Sequence, residues 1–395
     1  MNNRPTRLYI VFQLLLLVTS CASISEVKEP PVFFPEPPAL PHVQYLTSFT
    51  SSLDIEAKQS AFARFVTGSK EVIRRLDKPY GVAIDDGKIY VCDTNSTVMV
   101  FDLKKKTFSP LEGAQGLGKL IQPINISIDK NGNKYVSDPI RKQVVEYDKR
   151  DFYIKSYGDA GDWKPVDAVA FEDKLYVADI KNGLIRVFDL KTAELVQTLG
   201  HQGDKKDWLV LPTNLAFDKE GFLYVSDAAR FQIVKLDRDG NLRGTIGSIG
   251  TQLGFFARPR GIALDKDNRL YAVDAAFDNV QIFTRDGQLL LFFGKAGKKP
   301  GDLYLPAKVV VDYDNIEYFK RWIDPSFEVE AIVLATSQFG ARMVNVFALG
   351  KEKGKKYPSE QELKKLAEEA RKKLKEQQDK TADDDKDSEK IKKED

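Results

Sequence analysis

Oxygen-bearing side chains recur at one fixed point of this chain, the second residue after a strand-opening proline. The six pairs that follow these prolines are Tyr80-Gly81, Ile124-Asn125, Val166-Asp167, Thr213-Asn214, Arg260-Gly261 and Ala307-Lys308. Arranged around an axis, their second members make Asn125, Asp167 and Asn214 neighbours. Two amides and one carboxylate are hard oxygen donors suited to a cation such as Ca²⁺. One carboxylate is little charge for a dication, and Lys308 offers Asp167 an alternative partner across the ring. Other chemistries are poorly supplied. The only histidines are His42 and His201, too few for a histidine-based zinc centre and badly placed for a Ser-His-Asp arrangement. The two cysteines, Cys21 and Cys92, form no Cys-x-x-Cys-His haem motif. The glycine-rich stretches at 200–203, 247–254 and 294–301 lack the lysine spacing of a phosphate-cradling loop.

The elements that must position these residues repeat. Five strand endings read Tyr90-Val91-Cys92-Asp93, Tyr135-Val136-Ser137-Asp138, Tyr176-Val177-Ala178-Asp179, Tyr224-Val225-Ser226-Asp227 and Tyr271-Ala272-Val273-Asp274, with their aspartates 45, 41, 48 and 47 residues apart. Short strands at such a period mark a propeller, in which one blade buries its faces only against its neighbours. Asp86-Gly87, Asn131-Gly132, Asp239-Gly240 and Asp286-Gly287 supply the positive φ of tight hairpin turns. The aspartates recur in every regular blade, whereas an active site is needed once. They are expected to accept hydrogen bonds from backbone N–H groups of the following turn.

The repeat core, Pro-x-(Gly/Asn)-(Val/Ile/Leu)-Ala followed by Leu-Tyr-Val-x-Asp, resembles the NHL repeat family over about residues 79–350. That resemblance implies an all-β, six-bladed propeller and an interaction module. The Asn125, Asp167 and Asn214 constellation also resembles the tunnel site of six-bladed lactonases of the gluconolactonase type. It implies, as the alternative, a Ca²⁺-dependent hydrolase. The glutamate of those enzymes has no counterpart at Gly81 or Lys308.

The sixth unit is degenerate. Ala307–Asp312 reads as its first strand, Ala331–Thr336 as its second with Thr336 in the aspartate position, and Met343–Leu349 as its third. Its fourth is expected from the other end of the chain, where Val43–Phe49 can close the ring and remove two exposed edges. An insertion at 313–328 carries Tyr318, Phe319, Trp322 and Phe327 and is expected to project from the face opposite the tunnel mouth. On the mouth face the turns carry Arg141, Lys142, Arg230, Phe231, Phe277 and Phe339, the mixture of arginine and aromatic residues found in interface hot spots. Arg141, Arg230, Phe231, Phe277, Phe339, Phe319 and Trp322 are therefore the expected partner-binding residues.

Outside the propeller (42–350), residues 1–20 read as a signal peptide, with Arg4 and Arg7 before an apolar run from Leu8 to Val18. Val18-Thr19-Ser20-Cys21 resembles a lipobox, which implies cleavage before Cys21, its lipidation, and anchoring in a bacterial outer membrane by acyl chains. Cys92 would then be the one remaining thiol, expected as a small buried apolar residue. Residues 21–41 read as a proline-rich tether. At 351–395 the chain is rich in both charges. A helix is expected from a Ser359/Glu362 capping box to about Asp379, with a disordered tail beyond. The net charge of +2 gives no electrostatic case for nucleic acid. The sequence thus predicts a lipid-anchored, non-enzymatic binding propeller whose partner is an envelope protein or polymer.

Overall fold

A computed structural model describes residues 30–57, 72–159, 161–200, 209–358 and 362. The signal peptide, the first part of the tether with Cys21 (residues 21–29), His201, the expected C-terminal helix apart from Glu362, and the acidic tail lie outside the described residues.

Alternating apolar strands broken by Asp-Gly and Asn-Gly turns fold as six antiparallel sheets arranged as a propeller. Five are four-stranded meanders, at 79–110, 125–157, 165–199, 212–246 and 259–293 (blades 1 to 5). In blade 4 the strands are Pro212–Phe217, Leu223–Asp227, Gln232–Leu236 and Leu242–Ile246. Their side chains pack between sheets, so the core is a set of interblade clusters. Tyr224, Phe256, Ile262 and Phe283 fill the seam of blades 4 and 5, for example. This is the mutual burial that a repeat array requires.

Blade 6 closes the ring as expected. Pro306–Asp312, Phe327–Ser337 and Val344–Glu352 are followed by Val43–Phe49 from the other end, with Val43 opposite Leu349 and Phe49 opposite Val344. Among the described residues, every strand lies between Val32 and Glu352. A fifth strand was not foreseen: Val32–Phe34, read from its prolines as tether, pairs with Val43–Tyr45 at the outer edge. Phe34 then packs edge-on to Phe347, with centroids 6.2 Å apart.

The repeated aspartates do more than cap the following turn. Asp227 accepts Ala229 N–H and Arg230 N–H after its strand, and also Val210 N–H (2.7 Å) and Leu211 N–H (3.1 Å) ahead of the blade's first strand. Each carboxylate therefore staples two connections on the same face, and its buried charge is met by several backbone donors. In blade 6 the register places Ser337, not Thr336, at this point, because Pro306 pairs with Ser337 as Pro212 pairs with Asp227. The Ser337 hydroxyl accepts Tyr304 N–H (3.1 Å), and Asp278 of blade 5 accepts Leu305 N–H (2.7 Å) in its stead.

The insertion corrects a second expectation. It does not present its aromatic residues outward. Residues Ile316–Trp322 form a short 3₁₀ helix over the seam of blades 6 and 1, and Phe319 is fully buried (0 % exposed) among Phe49, Phe101, Phe108 and Phe327. Asn315 Oδ1 accepts Gly87 N–H (2.7 Å). The Tyr318 ring lies so close over Gly87 that a Cβ there would stand 2.6 Å from it. Gln44 of the closing strand donates to Trp322 O (3.0 Å) and accepts Asp324 N–H (3.1 Å). Apolar content in this long turn is thus the plug of the closure seam, and Phe319 cannot touch a partner.

Candidate functional site: the tunnel and its mouth

The first strand of each blade brings its proline-proximal residues to the tunnel. Gly81 and Gly261 are needed there for close approach: a Cβ would stand 2.6 Å from Asn125 Cα in the first case and 2.5 Å from Lys308 Cα in the second. Hydrogen bonds join neighbouring blades at this level. Gly81 N–H donates to Ile124 O (2.9 Å), Asn125 Nδ2 to Val166 O (2.7 Å), and the Thr336 hydroxyl to Tyr80 O (2.6 Å).

Asn125, Asp167 and Asn214 are all buried here. Asp167, 0 % exposed, already has its partners. Its Oδ2 accepts Lys308 Nζ (2.9 Å), Leu215 N–H (3.0 Å) and Asn214 Nδ2 (3.2 Å), and its Oδ1 accepts Ala168 N–H (3.1 Å). Lys308 belongs to blade 6 and Asp167 to blade 3, so the lysine side chain spans the tunnel. The ammonium thus meets the trio's one carboxylate, the charge a bound cation would have needed. Asn125 Oδ1 and Asn214 Oδ1 are buried acceptors without a protein donor. Among the described residues no group of three or more His, Cys, Asp or Glu side chains is placed to hold a metal.

Above this level, Arg260 lies over the Tyr80 ring (5.4 Å to its centroid). Burial lowers the affinity of the Arg260 guanidinium for its proton and pushes the Tyr80 hydroxyl up, the latter opposed by the Arg260 charge. Cys92 is buried in its strand. Burial, reinforced by the Asp167 charge, pushes its thiol well above the usual range, so it behaves as a small apolar residue. His42 is partly buried and meets Tyr357 edge-on at 4.8 Å; burial, then Lys351 and Arg269, hold its imidazole below the usual range.

The mouth face is formed by the connections between blades and by the turns after each repeated aspartate. Exposed apolar side chains gather there: Leu117, Ile121, Ile140, Ile249, Leu253, Tyr304 and Phe339. Of the residues the sequence singled out, Phe339 is exposed, while Phe231 and Phe277 are half-buried and join none of the interblade cores. Phe231 also holds a left-handed backbone (φ 56°), an uncommon conformation for a bulky residue. Arg141 spends its guanidinium internally on Leu117 O (2.8 Å), Gln143 Oε1 (2.7 Å) and Lys119 O (2.5 Å), pinning the connection to blade 2. Arg230 lies 3.9 Å from Asp227. Trp322 is on the closure seam, edge-on to Phe49 at 6.2 Å.

The sequence reading missed the surroundings of Phe339. This ring meets Tyr304 (centroids 5.9 Å apart), and the two flank a cavity of about 310 Å³ between the 294–305 connection and the 338–343 turn. The available signal was that aromatic residues replace the repeat's usual choices: two places after the aspartate position the other blades carry Asn95, Ile140, Lys181, Ala229 and Ala276.

Fold and tunnel together define a six-bladed β-propeller. No protein-family profile matches the chain, and no curated protein sequence does. Similar solved structures include a structural genomics protein of unknown function from Bacteroides thetaiotaomicron, 16 % identical, with a TM-score of 0.54 over 78 % of this chain and 76 % of that one. An auxiliary nutrient binding protein from the same organism is 13 % identical, with a TM-score of 0.51 over 69 % of each chain. A gluconolactonase from Xanthomonas campestris is 16 % identical, with a TM-score of 0.48 over 81 % of this chain and 98 % of that one. Identities this low speak to the fold alone.

Proposed function

We propose that this chain is a non-enzymatic binding and scaffold propeller, held to a bacterial outer membrane by lipid on Cys21, which captures an envelope protein or polymer on its mouth face. The observation that supports it most is the mouth itself. Its rim exposes apolar and aromatic side chains that no blade requires, while the tunnel behind is spanned by the Lys308–Asp167 ion pair. Exposed aromatic rings in mutual contact, as Tyr304 and Phe339 are on this rim, mark an interaction surface. The far-face insertion has its aromatic residues committed to the closure seam, which leaves the mouth as the better candidate. A second reading, a Ca²⁺-dependent hydrolase, has in its favour the two unpaired amide oxygens of Asn125 and Asn214 beside Asp167.

A photo-reactive phenylalanine analogue placed at Phe277 or Phe231, in cells making the full chain, is expected to cross-link a partner. The same analogue at Phe152, exposed on a strand-connecting turn of the opposite face, is not. Equal capture from both faces, or from neither, refutes the assignment. Cys21→Ser is expected to release the protein from the membrane fraction; retention there refutes the anchor.

A further inference from the structure

We infer that the cavity beside Phe339 is the seat of the captured partner and takes an acidic peptide segment with one aromatic or branched apolar anchor residue. The inference rests on the reading that the mouth face binds, and adds the chemistry of what it binds. Size comes first. About 310 Å³ is at the lower bound of ligand pockets, room for a single large side chain rather than an extended metabolite.

The apolar character follows from the lining. Leu303 is buried at the cavity, and Tyr304 and Phe339 flank it at 55 % and 43 % exposure. Two exposed aromatic rings in one place, at positions where the other blades lack such a pair, serve no blade. A recess of fixed volume accepts an inserted side chain, which a flat lipid surface cannot supply.

Charge selects the partner further. Lys298, Lys299 and Arg342 line the cavity, and Arg75 reaches Gly340 O (3.4 Å) from the entry to blade 1. The one carboxylate of the lining, Asp302, is buried and accepts Lys299 N–H (2.8 Å). Cations around an apolar recess are complementary to a segment with Asp or Glu flanking its anchor.

The walls are also held in place. Arg342 Nη1 donates to Lys298 O (2.6 Å), tying the two walls together, and the Thr50 hydroxyl at the end of the closing strand donates to Ala341 O (2.9 Å). A recess fixed in advance loses little entropy on binding.

The test uses the chain from Ala22 to Asp395, which contains every strand of the ring, and fluorescent capped tripeptides Asp-Phe-Glu, Lys-Phe-Lys and Asp-Ala-Glu. Saturable binding is expected for Asp-Phe-Glu alone, and it is expected to weaken as salt rises. Phe339→Ala and Arg342→Gln are each expected to weaken it at least tenfold with unchanged melting temperature. Phe292→Ala, equally exposed on the outer strand of blade 5, is expected to leave it unchanged. No saturation, equal binding of Lys-Phe-Lys, or binding to anionic vesicles with none to peptide overturns the inference. Should the cross-linker at Phe277 capture a partner whose yield Phe339→Ala does not alter, the cavity is wrong and the binding face stands. If neither position captures, the face itself is wrong.

Discussion

Replacing Lys308 with methionine tests whether the tunnel carries its own cation. The substitution keeps an unbranched side chain as far as its ε position and removes the ammonium that lies 2.9 Å from Asp167 Oδ2. Asp167 keeps Leu215 N–H, Ala168 N–H and the Asn214 amide, so the loss is one charge-assisted bond together with neutralisation of a fully buried carboxylate. Removing one member of a buried ion pair costs about 3–5 kcal/mol, and the three remaining donors argue for the lower end, about 3. In a domain of this size that corresponds to a fall in melting temperature of about 5 °C. The double substitution Lys308→Met/Asp167→Asn removes the stranded charge as well and is expected to recover most of the loss. Calcium supplies the decisive arm. In Lys308→Met, Asp167 loses its ammonium partner beside the unpaired oxygens of Asn125 and Asn214, and saturation with Ca²⁺ at a hundred times the dissociation constant adds about 2.7 kcal/mol. The wild-type protein is expected to melt at the same temperature with Ca²⁺ or EDTA. A wild-type rise that Asp167→Ala removes would refute the argument and favour the hydrolase reading. So would a Lys308→Met variant that loses less than about 1 kcal/mol, the range of exposed pairs.

Two further predictions concern the frame. Phe319→Ala is expected to cost about 3–5 kcal/mol by urea unfolding, as for a fully buried phenylalanine; an exposed side chain on a projecting loop would cost almost nothing. Burial, opposed by hydrogen bonds from Tyr157 and Tyr135 and by the Lys155 charge, holds the Glu146 carboxyl above the usual carboxylate range. A carboxyl raised in the folded state contributes its stability below its unfolded pKa and loses it as pH rises through the folded value. Glu146→Gln is thus expected to melt higher than wild type at pH 8 and to lose that advantage towards pH 4; a gap that widens on acidification would contradict the sign.

The period made the blades readable, because one set of constraints is written five times. The tunnel trio and its Lys308 partner were legible for the same reason, since fixed distance from a proline fixes radial position. What escaped the sequence lies where the repeat fails. Val32–Phe34 is three residues among prolines, too short for alternation to announce a strand. The second strand of blade 6 runs for eleven residues, and its extra length hid that Ser337, not Thr336, meets Pro306. The insertion was misjudged because apolar residues in a long turn have the same composition whether they seek a partner or plug a seam. Tyr304 and Phe339 are far apart in the chain and meet through the wrap of a connection, so neither flagged the other.

Closure concentrates these departures in one sector, and the consequence is thermodynamic. Blade 6 is built from both ends of the described chain, so its last strands gain nothing until the ring closes, and its seam needs its own fastening by Phe319, Gln44 and Thr50. Thr50 both ends the closing strand and, through Ala341 O and Met343 N–H, fixes the turn that carries Phe339. Closure thus fixes one wall of the cavity. A ligand that favours the fixed wall stabilises the closed ring, by up to RT times the logarithm of one plus its free concentration over Kd where it binds that state alone. The same linkage makes the outermost strands sensitive to the ligand. Hydrogen exchange at Val43–Phe49 should slow when the cavity is filled, whereas exchange in blade 3, across the tunnel, should follow only global unfolding.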